Sequence, residues 1–205
     1  MIKNIIFDWS GVINDSFDRQ LFVINQIFKE FGAKEMSLEE LRENWEQPYM
    51  SFYNKYLPNL TLEEEQKTYE KIITGHPAIK SFPGIVDVIK KFKAQGIKMV
   101  VLSSDSEKTL LPEIKDFGLE EIFIDVVSDS HDKSEEIKEL MRRNHFEIED
   151  TIFIGDSNHE IEVGKEIGIK TGAVTWGFCT REKLEALKPD FLIDTVEELI
   201  RIINL

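Results

Sequence analysis

The 205 residues suffice for one sizeable domain, or for one domain carrying a smaller insert. A hydrophobic share of 41% beside 31% charged residues excludes a disordered chain. A net charge of −14 leaves no Lys/Arg surplus to neutralise a phosphate backbone or an anionic bilayer, which excludes a general nucleic-acid or membrane-surface binder while leaving room for a local anion pocket. Cys179 has no second cysteine to pair with and reads as a buried, idle thiol. The start Met1-Ile2-Lys3-Asn4 lacks the basic and long apolar regions of a secretion signal, and no apolar run nears the roughly 18 residues of a bilayer span, so a cytoplasmic protein is expected.

In chain order, residues 3–7 (KNIIF) predict a short buried strand, bounded by Asp8 and the turn former Gly11. From Phe17 to Ser81 no strand pattern is visible. Pro48 and Pro58-Asn59 divide this stretch into helices, Glu39-Glu40 and Glu63-Glu64-Glu65 read as solvated faces, and Trp45, Tyr49, Phe52 and Tyr53 as an aromatic core with one or two rings at a substrate entrance. Phe82-Pro83-Gly84 marks a turn. Ile85, Val86, Ile89 and Phe92 then share a helix face, Gly96 ends that helix, and KMVVL (98–102) predicts a strand. Further strands are expected at 122–127, 151–154, 171–175 and 191–193. Helices lie between and after them, one on Ile137, Leu140 and Met141, one stopped by Gly168, and one on Val196, Leu199, Ile200 and Ile203. The alternation implies an α/β fold, a Rossmann-like parallel sheet of residues 1–16 and 82–205, with an inserted helical cap over 17–81.

The crevice of such a sheet lies at the carboxyl ends of its strands. Asp8, Ser103 and Gly155-Asp156 sit there, and Lys133 follows the strand at 122–127. Two converging carboxylates repel unless a cation lies between them, and a hard, oxygen-liganded cation suited to phosphate chemistry is Mg2+. An aspartate can attack phosphorus itself, while Ser103, Lys133 and the backbone N–H groups near Trp9–Gly11 supply donors for the phosphoryl oxygens. Ser104 or Asp105 reads as the cap of the next helix. His131 and His159 flank the motifs without a second ligand at helical spacing and read as loop residues, and His76 and His145 carry no signal.

FDWSGVINDS resembles the first motif of the haloacid dehalogenase superfamily. Ser103 in VVLSSD is similar to its second, Lys133 to its third and GDSNHE to its fourth, 23 positions beyond the lysine. The tail AVTWGFCTREKLEALKPDFLIDTVEELI looks like that of phosphoglycolate-phosphatase-like members. The resemblance implies a phosphatase acting on a small phosphorylated metabolite. Asp8 would be nucleophile and metal ligand. The Ser10 carbonyl and Asp156 would complete the protein's share of a Mg2+ shell. Ser103, Ser104, Lys133, Trp9 and Gly11 would hold the phosphoryl group, and Glu160 and Ser157 would stand behind the ligands, Glu160 where the family more often has Asp. Asp15 matches the end of the first motif and, with Asp18, reads as a hinge residue.

Position 10 departs from this pattern, since family phosphatases carry a second Asp there that protonates the leaving oxygen. Serine is a poor proton shuttle, and such a loss typically costs roughly 10²–10⁴ in rate. A slow phosphatase, or one limited to acidic leaving groups, is the leading expectation. A non-catalytic phosphate-binding or regulatory protein is the alternative. A phosphonatase is disfavoured because 41–50 holds no lysine for a Schiff base, and a metal-free dehalogenase because Asp156 and Lys133 are retained.

Overall fold

The computed structural model describes residues 1–73, 79–130 and 133–203. After β1 (Asn4–Phe7) and the two-residue β2 (Asn14–Asp15), the chain forms four helices: α1 (Phe17–Phe31), α2 (Leu38–Asn44), α3 (Tyr49–Tyr56) and α4 (Leu62–Ile73). It returns through β3 (Lys80–Ser81) to α5 (Ile85–Ala94), β4 (Lys98–Leu102), α6 (Glu107–Asp116), β5 (Asp125–Val127) and α7 (Lys133–Asn144). A 3-10 turn, β6 (Thr151–Gly155), α8 (Asn158–Ile167), β7 (Lys170–Val174), α9 (Arg181–Ala186), β8 (Phe191–Ile193) and α10 (Val196–Ile203) complete it.

Six strands form one parallel sheet in the order β5-β4-β1-β6-β7-β8. Successive residues of β1 bury on opposite faces. Ile5 and Phe7 join a core with α5, α6 and α10 residues, and Ile6 one with Ile137, Leu140 and Phe153. Each such fully buried side chain contributes about 1.5–3 kcal/mol. The chain works outward from β1 through β4 to β5, then crosses back to β6 on the other side. The switch point therefore falls between β1 and β6, where Phe7 pairs with Ile154 and the Asp8 amide donates to the Ile154 carbonyl at 2.9 Å. Ligand crevices form at this place in open α/β sheets.

The four helices build an apolar cluster on Val23, Ile27, Phe28, Leu41 and Phe52 that extends onto Ile161, Phe178 and Leu184. Their entry and exit lie side by side, because β2 and β3 pair antiparallel, Asn14 with Ser81 and Asp15 with Lys80. This corrects the expectation that 17–81 holds no strand; two residues are too few for a periodic signal. β5 is shorter than expected and opens at Asp125, since the Ile122 amide turns back to the Leu119 carbonyl at 3.0 Å. Gly96 and Gly168 stand at φ 80° and 88°, just before β4 and β7, as helix-ending residues. Among the described residues no helix is long and apolar enough to cross a membrane.

Candidate active site

Asp8 leaves β1 at the switch point into a tight turn in which the Trp9 carbonyl accepts from the amides of Ile13 (2.9 Å) and Asn14 (3.2 Å). The turn is anchored from below. Trp9 stacks on Phe117 in the core, and its Nε1 donates to Glu113 of α6 at 2.7 Å. The same Glu113 carboxylate accepts from Asn14 Nδ2 at 2.7 Å and pairs with Arg19. The Trp9 side chain thus faces away from the crevice. Its amide donates to Asp8 Oδ1 at 2.8 Å, while the Gly11 amide is taken by Asn14.

Lys133 opens α7 and is almost fully buried. Its ammonium lies 3.0 Å from Asp8 Oδ2 and 2.6 Å from Glu160 Oε1. The other Glu160 oxygen accepts from the amide (3.0 Å) and hydroxyl (2.5 Å) of Ser157. Both Glu160 oxygens are thereby engaged, which suits a role in orienting Lys133. Asp156, at the end of β6, accepts from the Phe178 amide at 2.5 Å. The chain fits so closely around this carboxylate that a Cβ on Gly11 (φ 80°) or on Gly177 would overlap it. Arg42 of α2 braces that loop by donating to the carbonyls of Gly177 and Thr175, each at 3.1 Å.

Burial pushes the Asp8 carboxyl up to about 7, with Glu160 adding to the rise and Lys133 opposing it. Asp156 is held well above the usual carboxylate range, first by burial and then by the negative charges of Asp8 and Glu160. Burial acts on Glu160 too, but the Lys133 ammonium outweighs it and holds the carboxyl at about 2. Burial works against the Lys133 ammonium, and the two carboxylates beside it overcome that and hold its pKa above the usual lysine range. The carboxylates of Asp8, Asp156 and Glu160 can each place an oxygen within 4.8 Å of the others. Three carboxylates gather at one ammonium, an excess of hard oxygen donors whose repulsion, with burial, raises Asp8 and Asp156. That set fits a divalent cation.

A cavity of about 900 Å³ lies over Asp8 and Asp156 and is lined also by Ser10, Ser104 and Asp105. Ser103 stands just behind the lining and is buried. Its hydroxyl donates to Asp105 Oδ2 at 3.0 Å, and the Ser10 hydroxyl donates to the same oxygen at 2.6 Å. The capping expectation for Ser104 or Asp105 is corrected: Ser106 is the N-cap of α6, and the Glu107 amide is held by Asp129 Oδ2 at 3.1 Å. Trp45, just after α2, and Tyr49 of α3 line the cavity, while Phe52 and Tyr53 pack behind them. Asp15 lies exposed in β2, and Asp18 in the first turn of α1. Cys179 is buried, and burial pushes its thiol up to about 12. His159 lies on α8 and His145 just after α7, whereas His76, His131 and Asp132 fall outside the described residues.

A family model described as haloacid dehalogenase-like hydrolase matches residues 5–174. The chain belongs to the haloacid dehalogenase-like hydrolases. It is 25% identical to phosphoglycolate phosphatase of Synechococcus elongatus over 99% of this chain and 98% of that one. It is 22% identical to pyrophosphatase PpaX of Halalkalibacterium halodurans over 99% and 97%. Among solved structures it resembles a haloacid dehalogenase-like family hydrolase from Streptococcus pneumoniae (TM-score 0.84, 21% identity, 98% of each chain). A predicted phosphatase from Clostridium acetobutylicum is similar at TM-score 0.85, with 21% identity and full coverage of both chains. The expected enzyme class, a phosphatase-type hydrolase, is supported by the family model and by these curated relatives, one named for a phosphate ester and one for pyrophosphate. Within this haloacid dehalogenase-like chain, sequence reasoning missed Glu113, Gly177 and the Asp105 acceptor. Glu113 and Gly177 act on partners far along the chain, and Asp105, although it also accepts from nearby Ser103, meets Ser10 across 95 positions.

Proposed function

We propose that the chain is a magnesium-dependent phosphatase that hydrolyses a small-molecule phosphate monoester through an aspartyl-phosphate on Asp8. The observation that carries this reading is the buried Asp8–Lys133–Glu160 chain of ion pairs facing Asp156 across the β1/β6 switch point. Relatives named for phosphoglycolate and pyrophosphate support it.

In this reading an Asp8 oxygen attacks phosphorus, the bond from phosphorus to the ester oxygen breaks, and the departing oxygen takes up a proton. Water then attacks the phosphorus of the acyl phosphate, releasing inorganic phosphate and restoring the carboxylate. Lys133 holds Asp8 in place and offsets its charge. Asp8, Asp156 and the Ser10 carbonyl would hold Mg2+, which would supply positive charge against the phosphoryl oxygens. Ser103, Ser104 and the Trp9–Gly11 turn are assigned to the phosphoryl group, which requires the Trp9 amide to leave Asp8 Oδ1 and the Gly11 amide to leave Asn14 as the phosphate binds. Ser103 has one hydroxyl proton, so binding the phosphate would draw it away from Asp105. Glu160 and Ser157 keep Lys133 aligned. Residues 1–16 and 82–205 form the catalytic core, and 17–81 a helical cap that closes over the cavity and excludes water. We propose a cytoplasmic location, which a net charge of −14 and a single cysteine fit.

Ser10 stands where a proton carrier would speed departure of an alkoxide. We therefore infer slow turnover of alkyl esters and faster turnover where the leaving group departs as a stable anion. The same replacement favours a second reading, a phosphate-binding protein without turnover. Steady-state hydrolysis of nitrophenyl phosphate with and without magnesium separates them, with Asp8→Asn as control. Magnesium-dependent turnover that vanishes in the variant is expected. Phosphate binding with no turnover would leave the binding reading in its place.

A further inference from the structure

The cavity over Asp8 also takes in Trp45, Tyr49, Glu65 and Tyr69 from the inserted segment. Glu65, on α4, is 4% exposed, and no ion pair reaches it among the described residues. Its hydrogen bond comes from the neutral Tyr49 hydroxyl, and burial pushes its carboxyl up to about 7 with no cation beside it to oppose the rise. The other buried charges are provided for: Arg19 pairs with Glu113, Lys133 with Asp8 and Glu160, and Asp156 holds an amide. Beside Glu65, the fully buried Tyr53 hydroxyl has no hydrogen-bond partner among the described residues. The cations that line the cavity do not make a buried anion site. Arg19 is tied to Glu113, and Lys67 and Lys108 are exposed.

A desolvated carboxylate set among aromatic rings on a cavity wall is the chemistry that receives an ammonium group, through charge attraction in a low dielectric and through the negative faces of the rings. We propose that the substrate is the phosphate monoester of an amino alcohol, with its phosphate at Asp8 and its ammonium group received by Glu65, Tyr49 and Tyr69. This rests on the phosphatase reading and narrows it. A substrate whose second group is a carboxylate or another phosphate would bring like charge to Glu65 and is rejected.

The test compares kcat/KM of the native magnesium enzyme on ethanolamine phosphate, choline phosphate, glycerol phosphate and phosphoglycolate, with nitrophenyl phosphate as reference. The amino alcohol esters are expected to lead glycerol phosphate by about tenfold and phosphoglycolate by more. Glu65→Gln should erase that lead, chiefly through KM, by lowering the amino alcohol esters selectively. Preference for phosphoglycolate, or an equal effect of Glu65→Gln on every ester, overturns the proposal while turnover of nitrophenyl phosphate keeps the phosphatase reading standing. Failure to turn over any ester, nitrophenyl phosphate included, overturns both. The native panel needs no variant to fold.

Discussion

At Ser10 the contact that matters is with Asp105, whose Oδ2 takes the hydroxyl protons of both Ser10 and Ser103. A carboxylate introduced at position 10 would stand against that oxygen, and two carboxylates in contact cannot both ionise. Ser10→Asp alone is therefore expected to raise glycerol phosphate turnover little, whereas Ser10→Asp with Asp105→Asn should raise it by roughly 10²-fold. Steady-state kcat of the native protein, the single and the double variant decides it. Equal gains in single and double would show that Asp105 does not restrain the site. Asp8, Ser103, Lys133 and Asp156 were legible in the sequence because each is a polar residue at or soon after the end of an apolar run. Asp105 and Glu113 were not. Their partners Ser10 and Trp9 lie 95 and 104 positions away, and locally both residues look like ordinary helix-associated acids.

At the scale of elements, the central strands were readable because the sheet is covered on both faces and its strands are nearly continuous apolar runs. Edge strand β5 was overestimated by three residues, and the β2–β3 pair was too short to see. In α4 the run Glu63-Glu64-Glu65 read as a solvated face. Glu63 and Glu64 are indeed exposed, but the helical turn rotates Glu65 inward, onto the same buried face as Thr68. A charge run carries no mark of which member turns inward, so periodicity did not reveal Glu65. Its environment has a consequence for stability. The carboxyl titrates near 7 when folded and near 4.5 in the ordinary range, so between those values the folded state holds the proton more tightly than the unfolded chain does. The contribution is complete below 4.5 and is lost as pH rises toward and past 7. Glu65→Gln should therefore match the native protein at acidic pH and gain on it by on the order of 1–3 kcal/mol by pH 8. Urea denaturation of both proteins at the two ends of that window reads the difference. A constant gap would show that Glu65 is not a desolvated acid.

For the whole molecule, excess negative charge is both a surface property and an internal one. A chain of net charge −14 folds around a site where three carboxylates gather at one ammonium between the two halves of the sheet, and burial together with their mutual repulsion raises Asp8 and Asp156. The helices, the Phe178 loop and the Asp8 turn all converge there, so relief of that repulsion should stabilise the fold as a unit. A ligand at one hundred times its dissociation constant adds about 2.7 kcal/mol, which for a chain of this length lifts the melting temperature by on the order of 5–10 °C. Saturating magnesium should do this to the native protein, and a chelator should reverse it. In Asp156→Asn the side-chain oxygen still accepts the Phe178 amide while one of the repelling charges is gone. Its melting temperature in chelator is expected to equal or exceed that of the native protein, and magnesium should no longer raise it. Thermal melts of both proteins with and without the cation measure each arm. A magnesium shift that persists in Asp156→Asn would mean that the ion binds elsewhere, and a native protein indifferent to magnesium would mean that the carboxylates at the switch point do not assemble a cation site.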